Sequence, residues 1–153
     1  MRTLNWFDAG QATTVDSIRY VENTTGVEFP KDFFDFVLKY SGASNPDESE
    51  FIIEVLNGRE RIGNFGSVLM IDGDHHDSVL GAIANLAEQV PAGVVPVIGT
   101  GSGDYICLDS RSPQATSISY LYHERSGEDA IVPLAKTFTD FLEKLREPDD
   151  AQA

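Results

Sequence analysis

The glycine-rich turn at residues 99–104, Gly-Thr-Gly-Ser-Gly-Asp, contains residue types that suggest chemistry. It joins two apolar runs, 95–98 and 105–108, that have the composition of buried strands. A phosphate-binding loop needs a Lys-Ser/Thr pair opening a helix, or a helix directly after the glycines. Here Asp104 takes that place, a strand follows, and a carboxylate repels phosphate. The pattern therefore predicts a structural hairpin with Asp104 at its tip.

Residues 72–77, Asp-Gly-Asp-His-His-Asp, contain the oxygen and imidazole groups that bind metals. A calcium loop of the EF-hand type needs an acid at its twelfth position, which falls on Ile83 when Asp72 is first. A zinc-binding helix needs histidines four residues apart, whereas His75 and His76 are adjacent. The segment is better explained as polar residues that cap a helix. We expect no metal and no other cofactor.

Cys107 is the single cysteine, and no basic residue near it in the sequence lowers its pKa. Its place in an apolar run predicts a buried, inert thiol. A hydrolase using Cys107 with His123 and Asp109 would need these residues to meet in the fold, which the sequence does not indicate. Asp104 and Asp109 alternate onto opposite faces of a strand, so they form a poor general acid/base pair. We expect no catalytic residues.

Charge is the strongest bulk signal, because 25 acidic residues against 11 basic ones give a net charge of −14. This excess argues against nucleic acid as a direct ligand, since phosphate backbones require stripes of Lys and Arg. Residues 41–58 and 62–110 contain no Lys or Arg at all. An acidic surface serves solubility or attracts a basic protein partner. The second interpretation places partner contacts on the predicted acidic loops, at Asp47, Glu48, Glu50, Asp72, Asp74, Asp77 and Asp104.

The length of 153 residues fits one domain covering residues 1–153, with a core at about 14–146 and a frayed tail at 147–153. A single cysteine permits no internal disulfide and fits a reducing compartment. No signal-peptide core follows Met1, and no run approaches the ~18 apolar residues that a membrane span needs. We therefore expect a cytoplasmic protein with no membrane partner.

Four segments carry apolar residues at helical spacing behind a recognisable start signal. These helices are predicted to follow a cap at Thr13 or Thr14, the turn at Pro30, a cap at Asp77 or Ser78, and a cap at Thr137. Strands are predicted at residues 51–56, 59–62, 95–98, 105–108 and 117–123, with Asn57-Gly58 forming a two-residue hairpin turn. The run 68–71 is interpreted as a strand or as a strand leading into a turn, and the run 131–135 is too short to assign. The order of helices and strands predicts an α+β fold.

Three blocks of the sequence resemble a known superfamily when they are taken in order. They are residues 27–36 running to Ser41-Gly42, residues 94–99 with 103–109, and residues 119–124 with 135–142. Their order and spacing, from about residue 14 to 146, are similar to those of the SUKH superfamily. That group contains fungal cell-wall regulators of the Smi/Knr type and bacterial toxin-immunity proteins.

The resemblance implies an α+β domain with a mixed or antiparallel sheet of about five or six strands, wrapped by about four helices. It also implies a binding role without catalytic residues, because many bacterial members neutralise a partner toxin of a polymorphic toxin system. Together with the charge, this predicts an immunity protein that blocks a cognate protein toxin with a basic, nuclease-type domain. The alternative is a general protein-interaction or regulatory module of the Smi/Knr type without a toxin partner. We expect a monomer or a weak homodimer.

Overall fold

A computed structural model describes residues 4–6, 13–44 and 49–148. The described residues form the α-helices α1 (Val15–Thr25), α2 (Lys31–Tyr40), α3 (Val79–Leu86) and α4 (Phe138–Glu143). The strands are β1 (Glu50–Leu56), β2 (Arg59–Asn64), β3 (Ser67–Val68), β4 (Val94–Gly99), β5 (Tyr105–Asp109), β6 (Ser117–Leu121) and β7 (Ile131–Ala135). Short 3₁₀ helices cover Ala87–Gln89 and Gly127–Ala130. The single-domain α+β class predicted from the sequence is confirmed.

Capping side chains set the starts of three helices, as the sequence predicts. The Thr14 hydroxyl accepts a hydrogen bond from the Ser17 amide. In the same way, the Ser78 hydroxyl accepts from the Gly81 amide, and the Thr137 hydroxyl accepts from the Asp140 amide. Each bond satisfies an amide that has no partner inside its helix. Gly26 ends α1 in the left-handed conformation at φ 76°, where glycine is strongly favoured.

The strands are distributed over two antiparallel sheets. Strands β3 to β7 form a five-stranded sheet in chain order, and β1 and β2 form a separate hairpin. The residues of the turn between β1 and β2, Asn57 and Gly58, have φ values of 53° and 76°, as a type I′ turn requires. The hairpin packs on the core through one face, where Phe51 lies 5.2 Å from Phe141 between ring centroids. Side-chain burial on that face, together with an antiparallel backbone bridge between Glu50 and Arg146, therefore attaches the hairpin to the domain.

The main core lies on one face of the five-stranded sheet and is rich in aromatic rings. Its fully buried rings are Phe33, Phe51, Phe65, Tyr120, Phe138 and Phe141. Cys107 packs into a smaller cluster, while its neighbours Ile106 and Leu108 belong to the main core. The side chains of β5 therefore alternate between the two faces of the sheet. No helix among the described residues has the length and apolar composition needed to cross a bilayer.

Candidate functional site

An open groove of about 610 Å³ lies between α1 and the loop that precedes α3. Helix α1 contributes Asp16, Ser17 and Tyr20 to its lining. The opposite wall consists of residues 71–74 of the loop together with Leu80 of α3. We call this feature the acidic groove, because three of its lining residues are aspartates and none is Lys or Arg.

Backbone contacts hold the acidic loop, residues 72–77, against the start of α3. The Met70 amide donates to the Asp77 carbonyl at 2.9 Å, and the Val79 amide donates to the Met70 carbonyl at 3.0 Å. The Ser78 amide and hydroxyl both donate to the carbonyl of His75, at 2.9 and 2.6 Å. The loop backbone approaches α3 so closely that a Cβ on Gly81 would stand 1.8 Å from the His75 oxygen. A glycine at this helix position therefore lets the loop form its wall of the groove.

The carboxylates of the acidic groove are directed to solvent and are mostly unneutralised. Asp72 accepts one hydrogen bond, from the Thr13 hydroxyl at 3.0 Å. Asp16 and Asp74 make no ion pair or hydrogen bond through their side chains within the described ranges. Asp77, on the same loop but outside the lining of the groove, lies 3.4 Å from the exposed ring of His76. The groove thus presents negative charge that an external cation can pair with.

Tyr20 gives the acidic groove an exposed aromatic surface. It is 64% exposed, whereas Ile18 and Val21 on the other side of α1 are fully buried. An exposed tyrosine between carboxylates supplies contact area at low entropic cost, and protein interfaces are enriched in this residue type. Asp16 and Tyr20 are not among the partner-binding residues predicted from the sequence, because a polar helix face has the same pattern whether or not it binds a partner.

Asp104, by contrast, lies inside a hydrogen-bond network. Its Oδ1 accepts from the His123 amide at 2.9 Å and lies 2.6 Å from the His123 Nδ1, while its Oδ2 accepts from the Tyr120 hydroxyl at 2.7 Å. Burial alone raises the pKa of Asp104, but the bonds from Tyr120 and His123 outweigh it and hold that pKa below its ordinary value. The carboxylate therefore ties the glycine-rich turn to the end of β6.

A second concavity of about 660 Å³ opens beside this network, and we call it the arginine cleft. Its lining includes Arg61 of β2 and Arg125 after β6, together with Asp104, Tyr122 and His123. The Arg125 guanidinium carbon lies 3.9 Å from the centroid of the Tyr122 ring, and that of Arg61 lies 5.3 Å from it. The Tyr122 hydroxyl donates to Glu54 at 2.6 Å, and burial together with this bond raises the pKa of Tyr122 to about 12.

Among the described residues, those considered for nucleophilic catalysis make no hydrogen bond with one another. Cys107 is fully buried, and burial raises the pKa of its thiol. Asp109 is bound instead by Arg111, at 2.8 Å between Nη2 and Oδ2, and by the Ser119 hydroxyl at 2.8 Å. The His123 ring is bound to Asp104. Within the part of the chain that the structure describes, no cluster of three His, Cys, Asp or Glu side chains is arranged to hold a metal ion.

The predicted partner-binding residues fall into three groups. Asp72, Asp74 and Asp77 lie together on the acidic loop and are exposed. Glu50 is buried and paired with Arg146, at 2.9 Å between Oε2 and Nη2, and Asp104 is internal as described above. Asp47 and Glu48 lie outside the described residues. Of the predicted acidic stretches within the described residues, residues 72–77 thus form a continuous exposed surface.

Two comparisons with known proteins bear on this arrangement. The model of the SMI1 / KNR4 family (SUKH-1) matches residues 12–144. The chain is also 25% identical over 154 residues to the SPbeta prophage-derived uncharacterized protein YokK of Bacillus subtilis (strain 168). That alignment covers 90% of this chain and 79% of the relative.

Proposed function

We propose that this chain, which belongs to the SMI1/KNR4 family (SUKH-1), is a non-enzymatic immunity protein that binds and blocks a toxin inside the cell that produces it. The family resemblance inferred from the sequence is confirmed by the family match, and the family includes toxin-immunity proteins. The partner we propose is a basic protein domain of the nuclease type.

The acidic groove is the observation that carries this proposal. It combines unneutralised carboxylates, Asp16 and Asp74, with the exposed ring of Tyr20. A nuclease must bind phosphates with Lys and Arg, so its substrate-binding surface is complementary to such a groove. The net charge of −14 adds long-range attraction for a basic partner and accelerates their encounter.

The proposed mechanism is occlusion. Carboxylates of the acidic groove pair with the Lys and Arg residues that the toxin uses to hold its substrate. Tyr20 packs at the centre of the contact, where aromatic residues contribute most of the binding energy. This mechanism requires no bond making or breaking by the immunity protein, only a complex that lasts longer than the substrate's encounters with the toxin.

We expect the gene for the toxin to lie beside the gene for this protein, and the test is protection of cells that express that toxin. Wild-type protein should restore growth and should co-purify with that toxin. The variant Asp16→Asn/Asp72→Asn/Asp74→Asn removes three charges from the acidic groove and should slow association strongly at low salt. Tyr20→Ala should weaken the complex by at least tenfold, mostly through faster dissociation.

A matched control removes the same number of charges elsewhere. Glu88→Gln/Asp129→Asn/Glu143→Gln changes three exposed acids outside the acidic groove, so it alters the net charge equally. This control should protect as well as wild type. Equal killing by the toxin with and without the protein would refute the immunity function. Equal loss of protection in both triple variants would refute the role of the acidic groove.

A further inference from the structure

Strand β2 is an open sheet edge of six residues. Its partner is β1, and no other strand pairs with it among the described residues. The edges of the large sheet are less available, because β3 has two residues and β7 contains Pro133 and lies against α4. An open edge presents unpaired backbone groups that can accept an added strand.

The register of the hairpin shows which groups of β2 are directed outward. Leu56 and Arg59 flank the two-residue turn and therefore bond to each other. Alternation along β2 then directs the backbone groups of Arg61 and Gly63 toward β1 and those of Glu60, Ile62 and Asn64 away from it. The continuation of the chain agrees, because the Phe65 amide bonds inward to the Ser49 carbonyl at 3.0 Å. The amides and carbonyls of these three residues thus have no strand partner among residues 4–6, 13–44 and 49–148.

Two concavities meet at this edge, one on each face of the hairpin. On the inner face lies the arginine cleft, and on the outer face lies a groove of about 640 Å³ lined by Arg59, Glu60, Asn64 and Pro148. Ile62, which is 40% exposed, lines both. A strand added beside β2 would direct its alternate side chains into these two spaces.

The arginine cleft sets the chemistry of one row of those side chains. Arg61 lies over Tyr122 but has no ion pair within residues 13–44 and 49–148. Asp104 does not neutralise it, since its carboxylate is occupied by His123 and Tyr120. Arg125 already lies 3.8 Å from Glu54, and the lining also contains the exposed Glu124, so the charge-assisted contact that an entering carboxylate gains is with Arg61. In the outer groove Glu50 already pairs with Arg146, and the exposed Ile62 favours an apolar side chain.

We propose that β2 binds an extended segment of a partner protein as an added strand, with alternating acidic and apolar side chains. The acidic side chains lie in the arginine cleft and the apolar ones lie against Ile62. This surface shares no lining residue with the acidic groove, so it is a separate binding site and does not depend on the proposed toxin. The charged side chains of β2 make the edge selective, because strands with like charges are repelled.

A second copy of this chain fits the edge less well. Since only Glu60, Ile62 and Asn64 have outward backbone groups, a symmetric antiparallel pair can centre on any residue from Glu60 to Asn64. The registers centred on Glu60 and Arg61 place Glu60 opposite Glu60 or Arg61 opposite Arg61 of the other copy. The remaining registers avoid this, but they bring together two molecules that each carry a charge of −14.

The test uses the capped hexapeptide Val-Glu-Val-Glu-Val-Glu and its counterpart Val-Lys-Val-Lys-Val-Lys, titrated into ¹⁵N-labelled full-length protein. The acidic peptide should shift the amide signals of Glu60, Ile62 and Asn64 and slow their exchange with water. The amides of Arg61 and Gly63, which already bond to β1, should keep their exchange rates. The lysine peptide should bind at least tenfold more weakly.

Variants link the binding to the arginine cleft. Arg61→Gln/Arg125→Gln should weaken the acidic peptide about tenfold, whereas Lys39→Gln/Lys136→Gln, with the same change in charge, should not affect it. Equal binding of the two peptides, or no effect at the three outward amides, would overturn the proposal. Concentration-dependent changes at the same amides without peptide would also overturn it, in favour of a second copy. Because no toxin is used, none of these results bears on the immunity function.

Discussion

Replacing Asp104 with asparagine tests whether its hydrogen-bond network stabilises the fold. The substitution keeps the shape of the side chain and removes its charge. One oxygen remains to accept from the His123 amide and ring, which both meet Oδ1. The new amide group takes the place of Oδ2, where the Tyr120 hydroxyl can rotate from donor to acceptor. Asp104→Asn therefore leaves no buried group unpaired and isolates the contribution of the charge.

The expected loss follows from three short hydrogen bonds, at 2.6, 2.7 and 2.9 Å. A hydrogen bond to a charged group contributes about 1.5–3 kcal/mol and a neutral one about 0.5–1.5 kcal/mol. The side chain of Asp104 is 12% exposed, so solvent screens it little. We expect Asp104→Asn to lower the free energy of unfolding by about 2 kcal/mol. Asp104→Ala should cost more, about 3–5 kcal/mol, because it leaves the His123 amide and the Tyr120 hydroxyl without an acceptor.

The loss of stability caused by Asp104→Asn should decrease as the pH falls. The folded-state pKa of Asp104 lies below the ordinary value of 3.8 that applies when the chain is unfolded. Its charge therefore stabilises the fold fully above that value, and this contribution is lost as the pH falls through the lower folded-state pKa. Asparagine does not titrate. The difference in unfolding free energy between wild type and Asp104→Asn should consequently shrink as the pH drops below about 4.

Urea denaturation followed by tryptophan fluorescence and circular dichroism measures these quantities. At an m-value of about 2 kcal/mol per molar urea, the expected loss moves the midpoint of Asp104→Asn by about 1 M at pH 7. Exposed Asp129→Asn is the control and should change the midpoint little. An unchanged midpoint for Asp104→Asn, or a difference that grows as the solution becomes more acidic, would contradict the assigned network.

Two further substitutions test the packing that shapes the acidic groove and α1. Gly81→Ala should destabilise the protein by about 1–3 kcal/mol, because the added Cβ would collide with the His75 carbonyl. Gly101 has open space around it, so Gly101→Ala should leave the midpoint unchanged in the same denaturation assay. Glu22→Ala should cost about 2–3 kcal/mol, because the buried Glu22 carboxylate accepts the Phe29 amide at 2.6 Å. A Glu22→Ala midpoint equal to that of wild type would show that water replaces this acceptor.

Features encoded by a few neighbouring residues were predictable from the sequence. Thr14 and Thr137 cap their helices through an amide three residues ahead, and Asn57-Gly58 adopts the turn that its backbone preferences favour. Thr14 and Ser78 were each one of two candidate caps, beside Thr13 and Asp77, and the structure selects them. These signals need no knowledge of the tertiary fold. They sufficed for four helices and most strands, and their order sufficed for the α+β class.

The candidate sites depend on contacts between distant parts of the chain. The wall of the acidic groove forms because α1 lies beside a loop more than fifty residues later, where Thr13 meets Asp72. The sequence showed that Asp74 is acidic and lies in a loop, but it could not pair that loop with Tyr20. Likewise, Asp104 is an ordinary loop aspartate until β6 brings Tyr120 and His123 to it. Composition predicts how much charge is present, whereas only the fold determines which charges remain free.

That distinction decides which acids can serve a partner. Asp104 can contact an external cation only if it gives up its hydrogen bonds from Tyr120 and His123, which stabilise the fold. Any gain in binding free energy is therefore offset by a loss of folding stability. Within the part of the chain that the structure describes, Asp16 and Asp74 have no such internal bonds, and pairing them with a Lys or Arg costs little reorganisation. They also lie at the surface, where their field extends about 8 Å into physiological solution and can guide an approaching molecule. Binding through the acidic groove thus relies on carboxylates that are not already engaged in stabilising the fold.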